Sequence, residues 1–81
     1  MKIHILFFAR ARDIAGRPAW DIDLPENSTI ADLRNRMLQQ FGEFSSLDRS
    51  LLWAVNNEYV SDTRVLKEYD QVACFPPVSG G

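Results

Sequence analysis

The sequence predicts an α+β domain, a mixed sheet of about five strands with one main helix packed across one face. Three observations carry that prediction. Five short stretches rich in aliphatic and aromatic residues are set apart by Gly, Pro and Asn signals, as strands are. One longer segment, residues 30–41, repeats its apolar side chains at helical spacing. A chain of 81 residues has room for one modest core, so helix and sheet must cover each other.

Residues 2–9 form the first strand, rich enough in Ile, Leu and Phe to lie inside the sheet with both faces covered. Alternation puts Ile3, Ile5 and Phe7 on one face and His4, Leu6 and Phe8 on the other. Residues 10–18, with Gly16, read as a loop. In residues 19–24, Trp20, Ile22 and Leu24 alternate with Asp21 and Asp23, which predicts a second strand with one wet face, antiparallel to the first. Pro25 closes it. Thr29 caps the helix, Asp32 sits near the positive end of its dipole, Ile30, Leu33, Met37 and Phe41 line its buried face, and Gly42 stops it. A loop through Phe44 and Leu47 leads to a third strand at 51–55, a turn at Asn56 and Asn57, and a short fourth strand at Tyr59 and Val60. Residues 64–69 read as a single helical turn or an irregular connector, and residues 71–75 as the last strand. If Val72 faces the helix, Phe75 lies on the open face with Leu6 and Phe8. An aromatic patch left uncovered in this way marks a partner surface.

Composition narrows the function. With 46% hydrophobic and 25% charged residues the chain is that of a globular domain, and a formal charge of -2 argues against a nucleic-acid partner, which needs concentrated basic surface. Arg10 and Arg12 read as a solvated rim. The first apolar run is too short to span a bilayer and lacks a signal-cleavage site, so no membrane partner is expected. A lone cysteine, Cys74, cannot form an internal disulfide, which fits a reducing compartment, with cytoplasm the default. Cys74 reads as a small hydrophobe within its strand. His4, the single histidine, has no nucleophile beside it, and no Cys/His metal spacing or phosphate-binding Gly-rich loop is present. An enzyme acting alone is not expected.

The chemistry is expected at the end of the chain, with a domain over residues 1–77 and a flexible tail over 78–81. Pro76 and Pro77 fix their own φ angles, stop the last strand and hold the direction in which the tail leaves the domain. Val78, Ser79, Gly80 and Gly81 could reach roughly 13 Å beyond them when extended. Two glycines without Cβ atoms fit a slot closed to any side chain. The carboxylate of Gly81, with an ordinary pKa of about 3.3 to 3.7, is ionised at neutral pH. Attack on the α-phosphate of a nucleotide would turn it into an acyl adenylate, ready for a sulfur or an amine nucleophile. The machinery for either route would lie in partner proteins.

The opening Lys2-Ile3-His4-Ile5-Leu6-Phe7-Phe8-Ala9-Arg10, the Ala54-Val55-Asn56 segment and the ending Phe75-Pro76-Pro77-Val78-Ser79-Gly80-Gly81 resemble the small subunits of molybdopterin synthase, sulfur carriers of ubiquitin-like β-grasp fold. The resemblance covers the whole chain. It implies that an ATP-dependent activating enzyme adenylates Gly81, and that sulfur mobilised from cysteine by a sulfurtransferase or cysteine desulfurase then makes a thiocarboxylate, a C-terminal 1-thioglycine. The tail Val78-Ser79-Gly80-Gly81 next enters the large synthase subunit and gives its sulfur to cyclic pyranopterin monophosphate, two transfers building the molybdopterin dithiolene. It further implies a heterotetramer, no permanently bound cofactor, ATP consumed by the activating partner, and no metal on this chain. Phe8, Tyr59 and Phe75 would form the patch on which both partners dock in turn. Cys74 stands where a bulkier apolar residue is expected. Other readings are a thiamine-pathway sulfur carrier, whose members are usually shorter and lack the Phe-Pro-Pro approach, a ubiquitin-like modifier joined to lysine, and a non-covalent interaction module with an incidental tail.

Overall fold

The computed structural model describes residues 1–46 and 50–76. Five strands, β1 (Lys2–Phe7), β2 (Ala19–Asp23), β3 (Leu52–Val55), β4 (Glu58–Val60) and β5 (Gln71–Phe75), form one sheet in the order β2-β1-β5-β3-β4. The first and last strands, β1 and β5, pair in parallel near its middle, and the other neighbours pair antiparallel. The sheet is therefore mixed, and β2 is antiparallel to β1 as its alternation suggested.

The main helix, α2 (Ile30–Gln40), covers one face. Thr29 and Asp32 close a reciprocal capping box at its start: the Asp32 N–H donates to Thr29 Oγ1 at 3.3 Å and the Thr29 N–H donates to Asp32 Oδ2 at 2.9 Å. These bonds satisfy two donors that the first turn would otherwise leave open. Ile30, Leu33 and Met37 are buried against Ile3, Ile5, Phe7, Trp53, Val55, Val72 and Cys74 from the sheet. The end of the helix differs from the sequence reading. Phe41 is its C-cap, with φ -128 and its N–H on the Met37 carbonyl, and Gly42 instead opens a 3-10 segment, Gly42–Ser46. That segment drives Phe44 into the core, stacked at 5.8 Å on Phe7. Phe44 was expected only in a loop, because an isolated aromatic between turn residues shows no period.

A second helix, α1 (Ala9–Ala15), stands where a loop was expected. Ala9 at φ 51 turns the chain sharply out of β1, Ala11 and Ala15 are buried at helical spacing, and Gly16 at φ 72 ends the helix in the left-handed conformation that glycine adopts without a steric penalty. Seven residues with two arginines and an uncapped start gave no strong periodic signal. The connector is irregular, with one isolated bridge between Val65 and Thr29. β1 also departs from the expected cover on both faces. Ile3, Ile5 and Phe7 are buried beneath α2, while His4 and Leu6 are only half-buried and Phe8 is exposed, because no helix lies on that side.

Candidate functional site

The open face of the sheet is fixed by strand parity. Val72 and Cys74 point into the core, so Gln71, Ala73 and Phe75 point the other way, and their register partners His4 and Leu6 on β1 and Leu52 and Ala54 on β3 share that face. Tyr59 joins them from β4, opposite Ala54. The Asn56-Asn57 turn brings it there, both residues at positive φ (49 and 72), the geometry of a tight two-residue hairpin. A hydrogen bond from Asn56 Nδ2 to Asp70 Oδ1, 3.0 Å, and one from the Gln71 N–H to Asn56 Oδ1, 3.1 Å, tie that turn to the base of β5.

Three aromatic residues singled out from the sequence meet here. Phe8 and Phe75 stack with ring centroids 4.9 Å apart and planes 11° from parallel, and Tyr59 tilts against Phe75 at 6.1 Å. Phe8 is held at the start of α1, its backbone N–H donating 3.2 Å to the Cys74 carbonyl. With Leu6, Ala54, Asn57, Gln71 and Ala73 these rings line an open groove of about 220 Å³. Leu52 and Tyr59 are exposed beside it, Tyr59 at 71%. A surface of stacked but uncovered rings costs solvation free energy that only a partner can recover.

The groove runs along β5 from Gln71 to Phe75, the end at which its three aromatic rings gather and from which residues 76–81 continue. Val78, Ser79, Gly80 and Gly81, named from the sequence as the tail that enters a partner, lie outside the described residues. What the structure supplies is their root: β5 is paired with β1 as far as Cys74 and with β3 as far as Phe75.

The remaining candidates sort by face. Cys74 has no exposed surface, and burial pushes its thiol up to about 12, so it stays protonated at neutral pH. His4 lies on the open face with its Nδ1 against Asp21 Oδ1, away from Cys74, in a cavity lined by no Ser, Thr or Cys side chain. Arg10 and Arg12 are exposed on α1. Among the described residues no three His, Cys, Asp or Glu side chains group as metal ligands, and no helix is long and apolar enough to cross a membrane.

Comparison with known proteins adds the family. The ThiS family model matches residues 5–81. A molybdopterin synthase sulfur carrier subunit from Drosophila erecta is 39% identical over 100% of this chain and 92% of its own length. A Pyrococcus furiosus protein described as molybdopterin converting factor, subunit 1, superposes with a TM-score of 0.87 at 34% identity, covering 96% of this chain and 99% of that one. A further likeness, with TM-score 0.71 and 22% identity over the full length of both chains, is to a chain in the complex of subunits 1 and 2 of the molybdopterin-converting factor from Helicobacter pylori. These likenesses give the fold as the ubiquitin-like β-grasp.

Proposed function

Because the chain belongs to the ThiS family, we propose that it is a sulfur carrier subunit of molybdopterin synthase, with Gly81 as the group that carries the sulfur. The observation that carries this reading is the full-length likeness to sulfur carrier subunits, with a family match that runs through Gly80 and Gly81. It favours this pathway over the thiamine one, since the shared identity is with the molybdopterin carriers.

The Gly81 carboxylate attacks the α-phosphorus of ATP in an activating enzyme, and pyrophosphate leaves. A persulfide on a sulfurtransferase or cysteine desulfurase attacks the acyl adenylate and displaces AMP, and a second thiol then reduces the resulting acyl disulfide, itself becoming part of a disulfide, to leave the thiocarboxylate. The charged tail enters the large subunit, where its sulfur passes to cyclic pyranopterin monophosphate. Hydrolysis returns the carboxylate, and a second loaded carrier completes the dithiolene. Gly80 and Gly81 suit this route because a backbone without Cβ atoms passes through a narrow channel and can still be hydrogen-bonded along its length. Neither Cys74 nor His4 has a part in it.

Phe8, Tyr59 and Phe75 serve as the docking patch at the tail root, used in turn by the activating enzyme and the large subunit in the cytoplasm. Sharing one patch makes the two complexes mutually exclusive, as a carrier that must leave one partner for the next requires. The assembled synthase is a heterotetramer in which two large subunits each hold one copy of this chain.

The test is the intact mass of the protein isolated from its native cell. Sulfur in place of oxygen at the terminus is expected, and deletion of Gly81 should abolish transfer without altering the thermal melt. Full transfer by the truncated protein would remove Gly81 from the mechanism.

A further inference from the structure

The open face carries a second feature, at its other end. A cavity of about 280 Å³ is lined by Lys2, His4, Asp21, Asp23 and Tyr69. Register pairs Lys2 with Asp23 and His4 with Asp21 on the same side of the sheet as Leu6 and Phe75. The aromatic groove reaches Gln71, the register partner of His4, so groove and cavity adjoin along the open face. A standard interface of about 800 Å² per partner is roughly 30 Å across, so one partner covers both.

Tyr69 sets this cavity apart. Its backbone lies at φ 67, where a bulky side chain is strained, and its N–H donates 2.7 Å to the Lys2 carbonyl, so the turn demands that conformation. Among the described residues the other positive-φ positions are filled by Gly16, Ala9, Asn27, Asn56 and Asn57, the small or Asx residues such turns favour. A tyrosine here gains nothing inside the domain. It is 75% exposed, and among the described residues its ring stacks on no other and its hydroxyl has no hydrogen-bond partner.

The electrostatics complement the ring. Asp21 and Asp23 are exposed, and Glu68, next to Tyr69, accepts the backbone N–H of Lys2. Two carboxylates, Asp21 and Asp23, thus line the cavity beside one ammonium, with His4 against Asp21. An aromatic ring beside surplus carboxylates suits a cation, which gains the ring quadrupole and the charge together.

We propose that this cavity is a second contact point of the docking face, and that it receives an arginine or lysine side chain of the large synthase subunit. The inference rests on the docking role of Phe8, Tyr59 and Phe75 in the proposed function. The large subunit is the fitting occupant because its substrate is a phosphate ester, which calls for a basic surface around the entry of the tail. A cationic anchor there, together with the aromatic groove, sets the rotation of the carrier on its partner, which a single apolar patch leaves loose.

The experiment is calorimetric titration of the purified large subunit, and in parallel of the activating enzyme, with the full chain at low and high salt, repeated for Tyr69→Asn, for the double variant Asp21→Asn/Asp23→Asn, and for Phe75→Ala. Asn accepts positive φ and should keep the melting temperature at or above wild type. Tyr69→Asn should weaken binding roughly three- to tenfold, as one partly desolvated cation–π contact would. The double variant should weaken it to a similar extent at low salt and flatten the salt dependence. If Phe75→Ala weakens the complex while both other variants bind like wild type, the subsite is refuted and the docking face stands. Should Phe75→Ala also bind like wild type, the docking reading itself falls, and the subsite with it. Loss of affinity only for the activating enzyme would overturn the assigned occupant.

Discussion

Replacing Cys74 by alanine and following stability against pH separates a sulfur that rides on the tail from one that rides on a thiol. Burial raises the Cys74 pKa from 9.0 to about 12, so the fold holds the protonated thiol while the unfolded chain releases its proton above pH 9. Above that pH the unfolded state binds fewer protons than the native state, and stability falls as pH rises toward 12. By pH 10 the loss from this residue is about 1 kcal/mol, and across the whole interval about 4 kcal/mol. Cys74→Ala removes that term at a packing cost of about 0.5 to 2 kcal/mol, below the range for larger core truncations. The assay is urea unfolding of both proteins at pH 8 and pH 10. Lysine and tyrosine titrations are common to the two and cancel, so the stability gap should narrow by about 1 kcal/mol at the higher pH. An unchanged gap, or rapid alkylation of the native thiol at neutral pH, would refute the buried-thiol argument. Sulfur transfer should survive in Cys74→Ala. An inactive but well-folded variant would move the sulfur onto the side chain.

Phe75→Ala should weaken binding to both partners by about 2 kcal/mol, some thirtyfold, with Phe8→Ala and Tyr59→Ala smaller in effect. Its melting temperature should fall only modestly, since Phe75 stacks on the open face and not in the core, and a collapse of stability with unchanged affinity of the folded fraction would refute the docking role. Gly80→Ala should leave the melt untouched and slow sulfur transfer in a single-turnover assay, because a Cβ obstructs the tail's passage. Thr29→Ala should cost about 1 kcal/mol in chemical denaturation by opening the capping box, with transfer unchanged.

The strands and the main helix were legible because each buries one face and leaves one wet, which writes a period of two or of 3.6 into the sequence. Trp20 and Ile22 against Asp21 and Asp23, and Ile30, Leu33 and Met37 behind Thr29 and Asp32, are where those periods are clearest. Helix α1 was less legible, since its fully buried residues are only Ala11 and Ala15, with Ile14 partly buried beside them and Arg10 and Arg12 flanking. Gly16 was its signal, a glycine directly after a buried alanine, and it reads equally well as a loop residue. Phe44 carried no periodic signal because a 3-10 turn, not a strand or α-helix, delivers it to Phe7. The open-face groove was legible through parity alone, which puts Phe8 and Phe75 on one face. Tyr69 was not, because its importance lies in a backbone angle that no residue pattern announces.

The parallel pairing of β1 with β5 explains why the aromatic patch and the root of the tail occupy one end of the sheet. Parallel neighbours run the same way, so both strands finish at the same edge, where β1 turns through Phe8 into α1 and β5 turns through Phe75 into Pro76. A single step along β5 separates a side chain sealed in the core, Cys74, from one stacked on the surface, Phe75. The tail is therefore rooted on a strand bonded on both sides and anchored from beneath, which fixes its point of departure. A partner that grips Phe8, Tyr59 and Phe75 grips that root, so its slot for the final glycines needs to match only a short length of chain. Insertion of one extra glycine between Phe75 and Pro76 would leave docking intact and misplace the terminus by up to about 3.5 Å. Transfer should fall steeply while affinity holds, as measured by titration and single-turnover assay on the same protein. Equal loss of both would mean that tail and patch do not act as one rigid unit.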